Sequence, residues 1–265
     1  MEIVLPKKSN SAESIILKDP HNIIIIGANG AGKSRFGRAI ERRYADCVFR
    51  ISAGNALCLV PEKKSTSHSV SGMYEQMLSK NGKIEVKAQT EFDRLLYLLQ
   101  QEEFQSLVDF KMKRFRGESC NLPRTRLDQT QEVWERLFPH SRILRKNGDL
   151  EVLSSVDEKS YKAYRMSQGE KAVFYLIASV LFAMPKALII VEDPELHLHR
   201  SIVGSLWDSI EQSRPDCTFI YMTHDIEFAA GRPAGVRVWV KSYDAVRRAR
   251  RELLCRSGRF SRRVR

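Results

Sequence analysis

Apolar and polar positions alternate in different ways along the chain, and each regime predicts a different element. Near the N-terminus two short stretches, Glu2–Leu5 and Ser14–Leu17, read as strands, and Lys18-Asp19-Pro20-His21-Asn22 after them is turn-prone. Ile23–Ile26 is β-branched throughout, as expected of a strand covered on both faces of a parallel sheet. A helix follows from Lys33 to about Tyr44, then a strand near Cys47–Ser52. From about Ser67 to Leu137 helical periodicity dominates. There Phe92, Leu95, Leu96 and Leu99, then Phe104, Leu107 and Val108, recur at i, i+3, i+4, predicting a helix packed on a core. Lys146-Asn147-Gly148-Asp149 predicts a hairpin turn. Strand and helix then alternate: helix Gln168–Met184, strand Ala187–Val191, helix Ser201–Ser213, strand Cys217–Met222, strand Val236–Val240. The pattern is an α/β core with N-terminal strands and a helical insertion at about 67–137.

Composition narrows the class. Of 265 residues, 43% are hydrophobic and 29% charged, which is globular rather than disordered. No apolar run approaches the ~20 residues of a bilayer span, so no membrane partner is expected. Charge begins at Glu2, without the apolar region of a signal peptide. The five cysteines are widely spread with no C-x-x-C pair, which fits a reducing, cytoplasmic setting and no disulfide framework. The net charge of +12 is concentrated: Arg247–Arg265 holds nine arginines against one acid. The expected organisation is one α/β unit over 1–246 and a basic tail over 247–265. That tail reads as a solvated segment, a nucleic-acid arm with salt-sensitive affinity, or an altered chain end.

Four segments carry candidate chemistry. Gly27-Ala28-Asn29-Gly30-Ala31-Gly32-Lys33-Ser34 fits G-x-x-x-x-G-K-[ST] and lies between an apolar strand and an amphipathic helix. Glycines there let backbone N–H groups turn in around phosphate, and the helix N-terminus favours an anion. Lys33 reaches the β- and γ-phosphates in such a loop, and the Ser34 hydroxyl ligates Mg²⁺. In the second segment, the apolar strand Ala187–Val191 ends in Glu192-Asp193-Pro194-Glu195. Adjacent carboxylates at a strand end point different ways, so one can face Mg²⁺ and the other an attacking water. The third, Met166-Ser167-Gln168-Gly169-Glu170, contains an S-x-x-E capping box before an apolar helix. The fourth, Thr223-His224-Asp225, directly follows a strand.

Taken in order, the four segments resemble an ABC-type ATPase head: phosphate loop, signature, Walker B strand and switch histidine. Ser34 precedes Ser167 by 133 residues, Ser167 precedes Glu192 by 25, and Glu192 precedes His224 by 32. Glu192-Asp193-Pro194-Glu195-Leu196-His197-Leu198-His199 is similar to the D-E-P-E-L-H-L-H segment of the soluble branch. That branch includes RecF/SMC-like proteins, overcoming-lysogenisation-defect nucleases and related anti-phage ATPases. The resemblance implies a P-loop NTPase fold and ATP with Mg²⁺ as cofactors. It places Gly27 to Ser34 on the triphosphate, Glu192 beside Mg²⁺, Asp193 as the water-polarising acid and His224 as the γ-phosphate sensor. Ser167 and Gly169 would contact ATP held by a second copy. Two heads would then sandwich two nucleotides, so the implied state is a homodimer or higher homo-oligomer. A separate Toprim-type nuclease or other effector is an implied partner, and DNA is another.

Three positions depart from the pattern. The acids run Glu-Asp rather than Asp-Glu, shortening the water-polarising side chain by one methylene and predicting slow turnover. No glutamine stands at the Q-loop place after Ser52, where Asn55 is the nearest substitute. Arg200 follows the L-H-L-H run where a proline is frequent. A nucleotide-gated scaffold with little turnover, or a transporter's nucleotide-binding subunit, are the alternatives. The Pro194–His199 run disfavours the transporter.

Overall fold

A computed structural model describes residues 2–6, 15–57, 90–146, 149–155 and 158–242. Five parallel strands form the central sheet: β3 (Asn22–Ile26), β4 (Val48–Ser52), β8 (Leu188–Glu192), β9 (Thr218–Thr223) and β10 (Val236–Trp239), in the order β10-β3-β9-β8-β4. The register is continuous, with Ile24 opposite Tyr221 and Ile190 opposite Ile220. A two-stranded antiparallel ribbon, β1 (Glu2–Val4) with β2 (Ile16–Lys18), and a three-stranded antiparallel sheet, β5 (Ser141–Lys146), β6 (Asp149–Ser154) and β7 (Lys159–Lys162), complete the β structure. The helices are α1 (Lys33–Arg43), α2 (Glu91–Phe115), α3 (Arg126–Leu137), α4 (Gln168–Phe182), α5 (Arg200–Ser213) and α6 (Ile226–Ala230).

The isoleucine run shows why the sheet is central. Side chains alternate across a strand, so Ile23 and Ile25 face one layer while Ile24 and Ile26 face the other, and all four are buried. The first layer is made by Phe36 and Ile40 of α1 with Ile3 and Leu5 of the N-terminal ribbon. The second is larger and collects the buried sides of α2 to α6. Phe174 of α4 sits at its centre, edge-on to both Phe92 and Trp134. At about 25 cal/mol per Å² of apolar surface removed from water, such a double-sided core dominates the stability of the fold.

Topology fixes where a ligand can bind. From β3 the chain crosses to β4 at one edge, whereas from β9 it crosses over β3 to β10 at the opposite edge. The connections after β3 and β9 therefore diverge. In open parallel sheets the crevice at that point, outside the carboxyl ends of the strands, is the binding position. All of the strand-end candidate residues leave the sheet from this edge.

Sequence expectation and structure agree closely over the sheet strands and their helices. The helical region resolves into α2 and α3; residues 58–89, the hairpin turn at 147–148 and the tail from 243 onward lie outside the described residues. One expectation needs correction. Phe92, Leu95 and Leu99 of the α2 stripe are buried, but Phe104 is 64% and Leu107 44% exposed. The second run restarts five residues after Leu99, which rotates it off the face that Phe92, Leu95 and Leu99 bury.

Candidate functional site

The phosphate-type loop is built by exclusion of side chains. An ideal Cβ on Gly27 would lie 2.6 Å from the Val240 carbonyl oxygen, because the end of β10 presses against the end of β3. Gly30 and Gly32 adopt φ of 80° and 90°, the left-handed region that glycine enters without penalty. Those turns reverse the backbone into α1. Ala28, Asn29, Gly30 and Ser34 are exposed, whereas Ala31 is buried and anchors the loop.

Alone among the described α-helices, α1 has no side-chain cap at its N-terminus and no acid in its first turn. A helix start leaves N–H groups without intrahelical partners and carries partial positive charge. Here Gly32 stands at the cap position and supplies no side-chain acceptor. Lys33 Nζ folds back onto the loop's own carbonyls, 2.8 Å from Gly27 O and 3.3 Å from Ala28 O. Left-handed glycines, an uncapped helix start and an adjacent ammonium are features that favour an anion.

The other candidate helix start is closed on itself. Ser167 Oγ accepts from Glu170 N at 3.2 Å, and Glu170 Oε2 accepts from Ser167 N at 2.8 Å. Tyr161 donates its hydroxyl to Glu170 Oε1 at 2.6 Å, and burial with that carboxylate pushes the phenol well above its usual range. Ser167 remains exposed, so the capped turn presents an outward surface. The backbone of Gly169 runs close to the His197 carbonyl, 3.4 Å from an ideal Cβ.

The two acids at the end of β8 separate as their positions predict. Glu192 turns toward β4, where Arg50 Nη2 donates to its Oε1 at 2.5 Å while Nη1 binds Glu41 of α1 at 2.9 Å. Asp193 takes a left-handed φ of 43°, with its N–H on Met222 O, and its carboxylate comes 3.7 Å from His224 Nδ1. Glu195 approaches the same nitrogen at 3.3 Å and accepts from Thr223 Oγ1 at 2.8 Å. Burial, reinforced by Asp193, raises the Glu195 carboxyl above its ordinary value. Such strained, charged turns concentrate where side chains must be aimed.

The structure thus brings Asp193 and His224 together and holds Glu192 apart from them. Ser167 and Gly169 stand at the start of α4. Asn55 lies in the 3-10 turn Ala53–Leu57 directly after β4. Two residues carry more of the site than sequence suggested. Arg50 is a charge inside a short apolar strand, and nothing local reveals a partner 142 positions away. Glu195 is legible in the motif, but its burial and its approach to His224 are not.

Residues 93–230 match the family described as "AAA domain, putative AbiEii toxin, Type IV TA system". The chain belongs to that family. The matched stretch contains Ser167, Glu192, Asp193 and His224 and begins after the glycine loop. No curated protein matches the chain. Among solved structures, the SMC head bound to the C-terminal winged-helix domain of ScpA is 14% identical, covering 92% of this chain and 95% of that one with a TM-score of 0.49. The SMC head domain from Thermotoga maritima is 9% identical over 88% of this chain and 91% of its own, with a TM-score of 0.45. CbiO1 from Clostridium perfringens, part of the ABC transporter complex cbiONQ, is 14% identical over 98% and 94%, with a TM-score of 0.42. The α/β, P-loop NTPase class with N-terminal antiparallel strands and helical insertions is the class observed. No described helix is long and apolar enough to cross a membrane.

Proposed function

We propose that this chain is an ATP-binding, ATP-hydrolysing head whose nucleotide-dependent pairing with a second copy gates a DNA-acting or anti-phage effector. The observation that carries the reading is the uncapped N-terminus of α1 behind two left-handed glycines. Every other described α-helix supplies its own cap, and this one is completed by a phosphate. Gly27 to Gly32 enclose the triphosphate and Lys33 leaves the loop carbonyls for the β- and γ-phosphates. Ser34 and Glu192 would supply oxygen ligands suited to Mg²⁺, a hard cation that takes few protein ligands and neutralises phosphate charge. Asp193 orients the attacking water, and His224 reports on the γ-phosphate. Ser167, which is exposed, and Gly169, which is half-buried, meet the nucleotide of the second copy. Closing that interface excludes water and strengthens each charged contact.

Mass in solution, measured with and without ATP and Mg²⁺, tests the reading. Wild type is expected to form a dimer or larger assembly with nucleotide, and Lys33→Ala to stay unchanged. Indifference of the wild type to adenine nucleotides would remove the proposal.

A second reading, a nucleotide-gated scaffold with little turnover, is favoured by the Arg50–Glu192 pair. The carboxylate assigned to Mg²⁺ already has a cation, and the adjacent acid is the shorter Asp193. Multi-turnover phosphate release separates the two readings. Asp193→Glu is expected to be faster than wild type if reach limits hydrolysis; a slower variant overturns that explanation.

A further inference from the structure

Glu195 lies beyond the acids that the site assignment uses, yet its surroundings are the more specialised. Its side chain is 17% exposed, against 45% for Asp193. The turn that carries it is locked from below, with Trp207 Nε1 donating to Pro194 O at 3.0 Å. A relay runs through the neighbouring loop: Asp225 N donates to Thr223 Oγ1 at 2.8 Å, so that hydroxyl turns its own proton to Glu195 Oε1, also at 2.8 Å. The same oxygen lies 3.3 Å from His224 Nδ1. Glu195 Oε2 is buried and has no hydrogen-bond partner. A carboxylate kept half-satisfied in the interior is costly, and the ring nitrogen of His224 is the nearest cationic partner given for it. The His224 ring is itself 51% exposed. It borders a cleft of about 730 Å³ between α5 and α6, which leaves one side of the imidazole open.

We propose that Glu195 is the positioning residue of His224: it keeps a proton on Nδ1, fixes the ring plane, and leaves Nε2 to face the γ-phosphate. The carboxylate does to this imidazole what an outer-shell acid does to a metal-bound histidine, choosing the tautomer and the direction. Thr223 and Asp225 hold Glu195 in turn. Asp193, farther from Nδ1 and more exposed, stays available for water. The catalytic consequence rests on the ATPase reading above; the geometric claim does not.

Two measurements separate these claims. Long-range ¹H–¹⁵N correlation on the nucleotide-free chain, with His224 assigned among the six histidines by comparison with His224→Ala, reads the tautomer directly. Wild type is expected to carry the proton on Nδ1, and Glu195→Ala to shift toward Nε2–H. A wild-type ring protonated on Nε2 alone, or a tautomer that ignores Glu195→Ala, overturns the proposal whatever the ATPase does. In steady state, Glu195→Ala is expected to lower kcat by about ten- to a hundredfold, the usual cost of removing an orienting partner, with KM changed by less than about threefold. The same substitution in the His224→Ala background is expected to cost nothing further. A loss of equal size in that background means that Glu195 does not act through His224. If the wild type binds no nucleotide, the functional reading fails while the tautomer result still decides the geometry. Should the alanine variant not fold, Glu195→Met, of similar length and without an oxygen acceptor, serves both assays, whereas Glu195→Gln, whose amide oxygen still accepts from Nδ1–H, is expected to keep the wild-type tautomer.

Discussion

Two helix starts face the same chemical problem, and the chain solves it in opposite ways. At α4, Ser167 and Glu170 exchange hydrogen bonds across the first turn, with Tyr161 bracing the acid. At α1 the cap is Gly32, which supplies no side-chain acceptor. The far end of α4 is closed as well. It has no basic residue of its own in the last turn, but Arg214 from the end of α5 donates to Val180 O, Ala183 O and Met184 O at 2.8, 2.9 and 2.8 Å. The ends of α4 are closed by the protein's own side chains, whereas the start of α1 has no side-chain cap. A helix sealed at both ends can hold a surface rigidly for a neighbour; an open one can bind.

The comparison breaks most severely if α4 is unsealed. Arg214→Ala strips three carbonyls of a charged donor at a largely buried position and is expected to cost about 2–4 kcal/mol in denaturant unfolding. Arg214 also holds the Asp216 carboxyl well below the usual carboxylate range. A lowered pKa gives stability that is present above the unfolded value and lost as pH falls through the folded one. The deficit of Arg214→Ala should therefore narrow in acid. A deficit independent of pH would remove the Asp216 share.

Next comes Lys33→Ala. It removes the ammonium proposed to meet phosphate and is expected to weaken nucleotide binding by roughly ten- to a hundredfold. Unfolding without nucleotide should barely change, because the Lys33 ammonium binds carbonyls of its own loop. A large loss of stability in the free protein would make α1's start as self-contained as α4's. Ser167→Ala should behave in the reverse manner, costing about 1 kcal/mol of stability without nucleotide and leaving binding to a single head intact. Differential scanning fluorimetry with and without ATP reads both variants together.

The smallest effect concerns Glu195. Burial raises its carboxyl pKa, so its contribution is favourable below the unfolded value and is lost as pH rises through the folded one. Glu195→Gln, which never ionises, is expected to melt slightly above wild type near neutral pH. The difference should vanish toward about pH 4, where the wild-type residue is largely protonated. A variant less stable at neutral pH would show that the negative charge supports the fold.

Much of the fold was legible because the signals were local. Four consecutive isoleucines announce a two-sided strand, and S-x-x-E before an apolar helix announces a capping box; both stand as read. The glycine loop was equally plain, since only backbone without Cβ tolerates the close pass of Val240, and glycine enters the left-handed turns at Gly30 and Gly32 without penalty. The α2 stripe was misleading in its second half for an instructive reason. Periodicity reports which residues share a face, and Phe104 and Leu107 share one that points away from the core.

Strand order, ion-pair partners and the division of labour among the acids came only with the folded chain. Whether Glu192 meets Arg50, and whether Asp193 or Glu195 sits nearer His224, depends on strands 142 and roughly 30 residues apart lying side by side. The sequence by itself determined the elements and the chemistry available at their ends, because propensity, capping and glycine placement act over a few residues. Tertiary structure decided which of those ends converge and which carboxylate loses its water, since burial and electrostatic pairing are properties of neighbours in space.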